Sequence, residues 1–362
     1  MRILTTLACL LTLQLCVAQS FFSQADSIRK TRGVPALGYA VFSDNKILDI
    51  GVSGYRKYHE RDTSRTTDRF SLGTNSFVFV TWVAGKLVET GKIKWTTTFT
   101  SLYPGEAKKI SPQYANLDLK SLLSNTGGVP PYKQLDDYVH IPAFGGDEQT
   151  QRKEFAAFVL QKPGLNEARQ NKVVESVAGY TIAVSMLEKA SGLSWSKLIE
   201  TYINKPFGIT LKFGWPNSIS PGEPWGHWSK YGSLSAEPAD TWVKLYPSIV
   251  SAAGVNISLL DFTRFLQNEL KGLRGAKTNL SQSTLQLIHF GNPYPLGWEN
   301  VAVGDTKVAT HAGDSYLFNS YVELMPDKNI GILVVSNDGD PTGKGAVIHL
   351  ARTIAESITN HN

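Results

Sequence analysis

Residues 70–92, FSLGTNSFVFVTWVAGKLVETGK, constrain the fold more than any other stretch of this chain. A turn of small polar residues, Gly73, Thr74, Asn75 and Ser76, feeds a run in which Phe77, Val78, Phe79, Val80, Trp82, Val83, Ala84, Leu87 and Val88 are apolar. Wound as a helix, that run is apolar on nearly every side, and a helix without a polar face has to be buried. Gly91 supplies the C′ residue that stops it. The stretch therefore predicts a central helix around which a domain is packed. The hydroxyl at its head has two readings. Thr74 is either an N-cap for the unpaired amides, or a nucleophile placed where the helix dipole and free N–H groups stabilise negative charge.

The chain has 362 residues, 42% hydrophobic and 19% charged, enough to bury a large core. Residues 1–18, with one early Arg, an apolar run and a small residue at Ala18, read as a secretory signal peptide cleaved between Ala18 and Gln19. The run is too short for a membrane span, and no transmembrane segment is expected. Leu15 is larger than the small residue expected before a lipidated Cys16, so lipid anchoring is not expected. Both cysteines, Cys9 and Cys16, fall in this leader, which removes disulfides, thiol catalysis and cysteine metal sites from the rest of the chain. The destination is then periplasmic or extracellular. The net charge is +5, including Arg2 of the leader, with no basic stripe, so nucleic acid is not an expected partner. His and carboxylate residues show no ligand spacing, and neither a metal nor another cofactor is expected.

Along the chain, residues 23–30 read as a short helix ended by Gly33 and Pro35. Residues 36–43 and 46–52 read as strands of a hairpin turning at Asp44-Asn45. Helices are expected at 117–123, 153–160, 179–190 and 195–203, with a Pro-, Gly- and Trp-rich loop at 212–228. Another helix spans 258–270, with Ser258 and Asp261 as a capping box. Residues 308–311, 316–325 and 330–336 read as strands, and 344–358 as a final helix with an apolar face. Strands at both ends and helices between them predict an α+β chain. An antiparallel sheet built from both termini, about 19–70 and 290–362, is flanked by helices, and a mainly helical lobe, about 71–289, is inserted between its halves.

In order, the segments LLSNTGGVP, GYTIAVSMLEKASGLSWSKLI, NKPFGIT, PGEPWGHW, AAGVNISLLDFTRFL, YPLGW and THAGDSYLFNSYVELMPDKNIGILVVSND carry a resemblance to the serine β-lactamase and penicillin-binding-protein-like superfamily. The likeness is nearest the class C and esterase-like branch and covers residues 19–362. It implies a β-lactamase/transpeptidase-like fold and a site made of three motifs. In the register set by Gly73 and Gly91-Lys92, the family's Ser-x-x-Lys falls on Thr74 and Phe77. Its Tyr-x-Asn, counted back from Gly179-Tyr180, falls on Glu175 and Val177. Its Lys/His-x-Gly survives as His311-Ala312-Gly313. In the leucine-leucine-x-His-Thr-Ser-Gly loop, Asn125 and Gly127 stand for the His and the Ser. The implied oxyanion donors are the backbone amides of Thr74 and Asp314.

Thr74, Glu175 and His311 are thus the candidate catalytic residues, and Phe77, Val177, Gly313 and Asp314 the candidate ligand-binding ones. The resemblance and its losses predict an exported relative of serine hydrolases that is catalytically inactive and keeps a cleft for a small-molecule, peptide or acyl ligand. Two alternatives stand beside it. One is a hydrolase using Thr74, or a water activated by Glu175 and His311 as an acid/base pair. The other is a partner-binding protein whose cleft is filled by side chains. The plainer residue readings are an N-cap at Thr74, core packing at Phe77, a surface carboxylate at Glu175 and a satisfied strand histidine at His311. The Trp225-Gly226-His227 loop is expected to pack over the site. Oligomeric state is not legible.

Overall fold

The computed structural model describes residues 20–133, 135–165, 173–241, 250–291, 293–303 and 306–360, and the expected leader at 1–18 with its cleavage point lies outside them. The chain enters through α1 (Phe22–Arg32), stopped by Gly33 at φ 70°, and makes the hairpin β1 (Ala36–Phe42) and β2 (Ile47–Gly54). A short β3 (Arg69–Ser71) leads through a 3-10 turn at Gly73–Ser76 into α2 (Phe77–Glu89). Helices α3 (Leu119–Leu123), α4 (Glu148–Leu160) and α5 (Val177–Ser191) follow, then the short β4 (Lys212–Phe213). A hairpin, β5 (Gly226–Lys230) and β6 (Ser233–Glu237), precedes β7 (Val255–Ser258), α6 (Leu259–Leu273) and α7 (Gln282–Phe290). The chain closes with β8 (Glu299–Val303), β9 (Thr306–Asp314), β10 (Asn319–Met325), β11 (Ile330–Ser336) and α8 (Pro341–Asn360).

The architecture is α+β, as expected. Six strands form one sheet in the order β2-β1-β11-β10-β9-β8, every pairing antiparallel. The pairing β1–β11, Leu37 opposite Ser336 through Phe42 opposite Gly331, joins the two ends of the chain. One face of the sheet meets α1 and α8 around Tyr39, Ile332, Val334, Leu350 and Ile354. The other face continues into the main core, where α2 has every residue from Phe77 to Gly85 buried. Its stop is the expected one, Gly91 at φ 70°. Ser258 Oγ accepts from the Asp261 amide at 3.0 Å, the N-cap half of the expected box.

The inserted region is less purely helical than its pattern suggested. It also holds the three-stranded sheet β3-β7-β4 and the β5–β6 hairpin. Arg152 of α4, 1% exposed, pairs with Glu188 of α5 at 2.6 Å, and Glu188 also accepts from the Trp195 amide at 2.7 Å. A buried pair of this kind fixes how α4 lies on α5, since either charge alone would be stranded in the core. Among the described residues no helix is long and apolar enough to cross a membrane.

Candidate functional site

The turn before α2 is pressed backbone-to-backbone against β9. Gly73 has φ 56°, and a Cβ there would run into the Asp314 carbonyl; a Cβ at Gly313 would run into the Leu72 carbonyl. Glycine is required at both positions by this contact. Gly313 is therefore a packing residue first, ahead of the ligand-binding role expected for it. Asn75 Nδ2 donates to Ser320 Oγ at 2.8 Å, and Ser320 Oγ donates to the Leu72 carbonyl at 2.9 Å, which staples the turn to β10.

Thr74 does not cap the helix. The N-cap residue of α2 is Ser76, which makes no side-chain cap bond, and Thr74 turns its hydroxyl to β9 instead. Its Oγ1 lies 3.4 Å from His311 Nε2 and 3.4 Å from the Ala312 carbonyl, long for hydrogen bonds. One turn on, Phe77 is fully buried and stacked on Tyr180, with ring centroids 3.6 Å apart and planes at 4°. Its ring stands edge-on to His311 at 5.8 Å. An aromatic ring, with no proton to move, occupies the space between Thr74 and the helix behind it.

His311 Nδ1 lies 3.0 Å from the Gly297 carbonyl, which can only accept, so Nδ1 carries the proton and Nε2 keeps its lone pair toward Thr74. Burial pulls the imidazole below its usual value despite the fields of Glu175 and Glu299, so it stays neutral at neutral pH. The expected Glu175–His311 acid/base pair does not form, because both ring nitrogens face other groups. Glu175 Oε1 instead accepts from Lys133 Nζ at 2.7 Å. Burial would lower Lys133, but Glu175, then Asp314 and Glu299, more than offset it and keep the amine protonated. The one amine near Thr74 among the described residues is thus a counter-ion rather than a base.

Thr74, Lys133, Tyr138, Val177, Asp314 and Tyr316 line a narrow pocket of about 30 Å³. That is space for about two water molecules. Tyr316 closes it by donating its hydroxyl to the Lys133 carbonyl. Val177, only 2% exposed, is pinned behind it by the hydrogen bond its amide N–H donates to the Pro131 carbonyl at 2.9 Å. Across the Lys133–Glu175 pair a groove of about 420 Å³ opens, lined by Asn125, Glu175, Tyr294, Trp298, Glu299 and His311 among others. A larger cavity of about 570 Å³, at Arg274 and Lys307, shares none of these side chains.

His227, in the loop expected to cover the site, is a clasp. It is fully buried, accepts from the Tyr58 amide at 2.9 Å through Nε2, and faces the Asn337 carbonyl at 2.7 Å through Nδ1. Burial pushes its imidazole down to about 4. The hairpin reaches the cleft through Trp228, whose ring lies 6.5 Å from that of Tyr316. Lys133, Tyr294, Glu299 and Tyr316 were not singled out by the sequence. They sit on loops or an edge strand without periodicity, and long-range packing alone assembles them. No group of three or more His, Cys, Asp or Glu among the described residues could hold a metal.

A sequence profile described as Beta-lactamase matches residues 21–356. Among curated proteins, the chain is 24% identical over 350 residues to a "Beta-lactamase" of Escherichia coli (strain K12), covering 85% of each. It is 22% identical over 327 residues to "Protein flp" of Staphylococcus aureus (strain NCTC 8325 / PS 47), matching 84% of this chain and only 60% of that protein's length. Among solved structures, an octameric penicillin-binding protein homologue from Pyrococcus abyssi superposes with a TM-score of 0.73 at 20% identity, over 92% of this chain and 76% of that one.

Proposed function

The chain belongs to the beta-lactamase family, and on that premise we propose that it is an exported member that has lost acyl transfer at Thr74 and binds a ligand beside that position. The observation that carries the reading is Phe77, held between Tyr180 and His311 where the family's activating lysine would lie. A general base contributes about 10²–10⁴ in rate, and removing the nucleophile or base of a coupled set costs on the order of 10⁶. Here an aromatic ring stands in the base's place, the nucleophile carries an extra methyl, and the space in front of it is about 30 Å³. That leaves little room for an acyl group in front of Thr74. The groove across the Lys133–Glu175 pair, about 420 Å³, does have room for a ligand, which disfavours a wholly filled cleft.

Purified protein is expected to show neither a burst nor steady-state turnover above buffer with a chromogenic cephalosporin or p-nitrophenyl acetate. Turnover that disappears in Thr74→Ala would overturn the reading. A weak threonine hydrolase is the second reading, favoured by the Nε2 lone pair 3.4 Å from Thr74 Oγ1. It requires activity lost in both Thr74→Ala and His311→Ala. Because burial lowers the His311 imidazole from its usual value, its rate would fall at a more acidic pH than that of an ordinary histidine base. Export is supported by the leader-like residues 1–18. A bacterial host should yield a protein whose intact mass begins at Gln19; a product retaining residues 1–18 would exclude export through this leader.

A further inference from the structure

The groove beside the closed cavity continues into a second hollow of about 270 Å³, with which it shares Ser124, Pro293 and Tyr294. We infer that this continuous groove binds a saccharide, with pyranose rings laid along Tyr294. The inference rests on the reading that ligand binding has left Thr74 for this side of the Lys133–Glu175 pair, and it names the ligand class. A sugar ring has an apolar C–H face and a rim of hydroxyls that both donate and accept. It is recognised by a flat aromatic surface ringed with side chains of mixed hydrogen-bonding character. Tyr294, half-buried at the junction of the two hollows, is the flat surface. Asn125, Asn300 and the Ser124 hydroxyl supply donors and acceptors, and Glu299, exposed at the start of edge strand β8, supplies an acceptor.

Charge narrows the class further. Glu175 is neutralised by Lys133 at 2.7 Å, and Asp118, which caps α3 by accepting from the Ser121 amide at 2.8 Å, stands beside Lys120. No surplus of cations is left to hold a phosphate or carboxylate. Trp298, 5% exposed, lines the groove with its ring 4.5 Å from that of the buried His289, and makes part of the groove's apolar wall. The two hollows together fall within the roughly 300–1,000 Å³ typical of small-ligand sites.

The test uses the whole chain with chitotetraose, cellotetraose and maltotetraose as separate probes, followed by calorimetry and by tryptophan fluorescence. At least one is expected to bind saturably at millimolar concentration. Tyr294→Ala is expected to weaken that binding roughly tenfold, the loss of one aromatic platform. Glu299→Gln, on the exposed strand edge, should weaken it severalfold with an unchanged melting temperature, so a folding defect in the tyrosine variant would not leave the result open. No binding by any of the three probes, or binding indifferent to both groove substitutions, overturns the inference. In that event inertness toward esters and cephalosporins leaves the broader reading standing, whereas hydrolysis dependent on Thr74 would remove the broader reading whatever the sugars do.

Discussion

Thr74→Ser, Phe77→Lys, Glu175→Tyr and Val177→Asn, combined, are expected to turn a protein that a fluorescent penicillin does not label into one that it labels covalently. The expected gain is large because nucleophile and base act as a unit, worth on the order of 10⁶ together. Each substitution also removes a particular obstacle. Serine takes away the methyl that crowds attack from Thr74. Lysine replaces the ring now stacked on Tyr180 and brings an amine to within reach of the hydroxyl. Tyrosine at 175 releases Lys133, taking down the ion pair that separates the 30 Å³ cavity from the groove. Stability falls at the same time, since truncating a fully buried phenylalanine costs about 3–5 kcal/mol, partly offset by the lysine stem. Labelling is therefore read at low temperature, with circular dichroism to show that the variant is folded. A folded variant that stays unlabelled would mean that the register of Thr74 and Phe77 or the position of the cleft is wrong.

Glu269→Gln is expected to stabilise the protein by about 3 kcal/mol at pH 7. Glu269 and His289 lie in the core, 2% and 0% exposed, with Glu269 Oε2 3.7 Å from His289 Nε2. Burial raises the carboxyl to about 8, in spite of the Trp82 indole, and lowers the imidazole to about 4. At neutral pH both are uncharged, so this is not an ion pair. Unfolded, Glu269 would ionise near 4.5, so between 4.5 and about 8 the native state holds a proton that the unfolded state releases. Stability is complete below the unfolded value and is lost as pH rises through the folded one. At about 1.4 kcal/mol per pH unit, the loss is about 3 kcal/mol at pH 7 and about 5 kcal/mol above pH 8. Glutamine keeps the shape, one acceptor and a donor toward Nε2, and does not ionise. His289 works in the opposite sense: its stability is present above 6.5 and is lost as pH falls toward 4. Urea unfolding of both proteins from pH 4 to 9 should give curves that meet at the acid end and diverge with rising pH. Parallel curves would show that Glu269 is not buried as a neutral acid.

Local pattern decided the elements, and it did so well where one physical cause dominated. The all-round apolar run at 77–88 could only be a buried helix, and the hairpin at Asp44-Asn45 and the strand at 330–336 followed from alternation and turn chemistry. Elements whose stability comes from pairing at long range were not legible: β8, the β5–β6 hairpin and the short β3-β7-β4 sheet have weak patterns and exist because a partner strand is present. Within the site, the losses at Phe77 and Val177 were legible because they replace one chemistry by another. The partners were not. Glu175 could have faced His311 or solvent, and Lys133, forty-two residues away, took it instead.

The sequence by itself determined that a buried helix begins at Phe77, that strands from both termini would be drawn together, and that residue 77 can move no proton. These follow from side-chain chemistry and short-range periodicity, which a linear chain already contains. Only the tertiary structure decided that Thr74 faces β9 rather than capping the helix, that His311 is neutral with its lone pair on Nε2, and that Lys133 and Tyr316 close the space in front. Those are properties of distance and burial among groups far apart along the chain. Hydrogen bonding and desolvation act through space and change steeply over an ångström, and neither can be read along the chain.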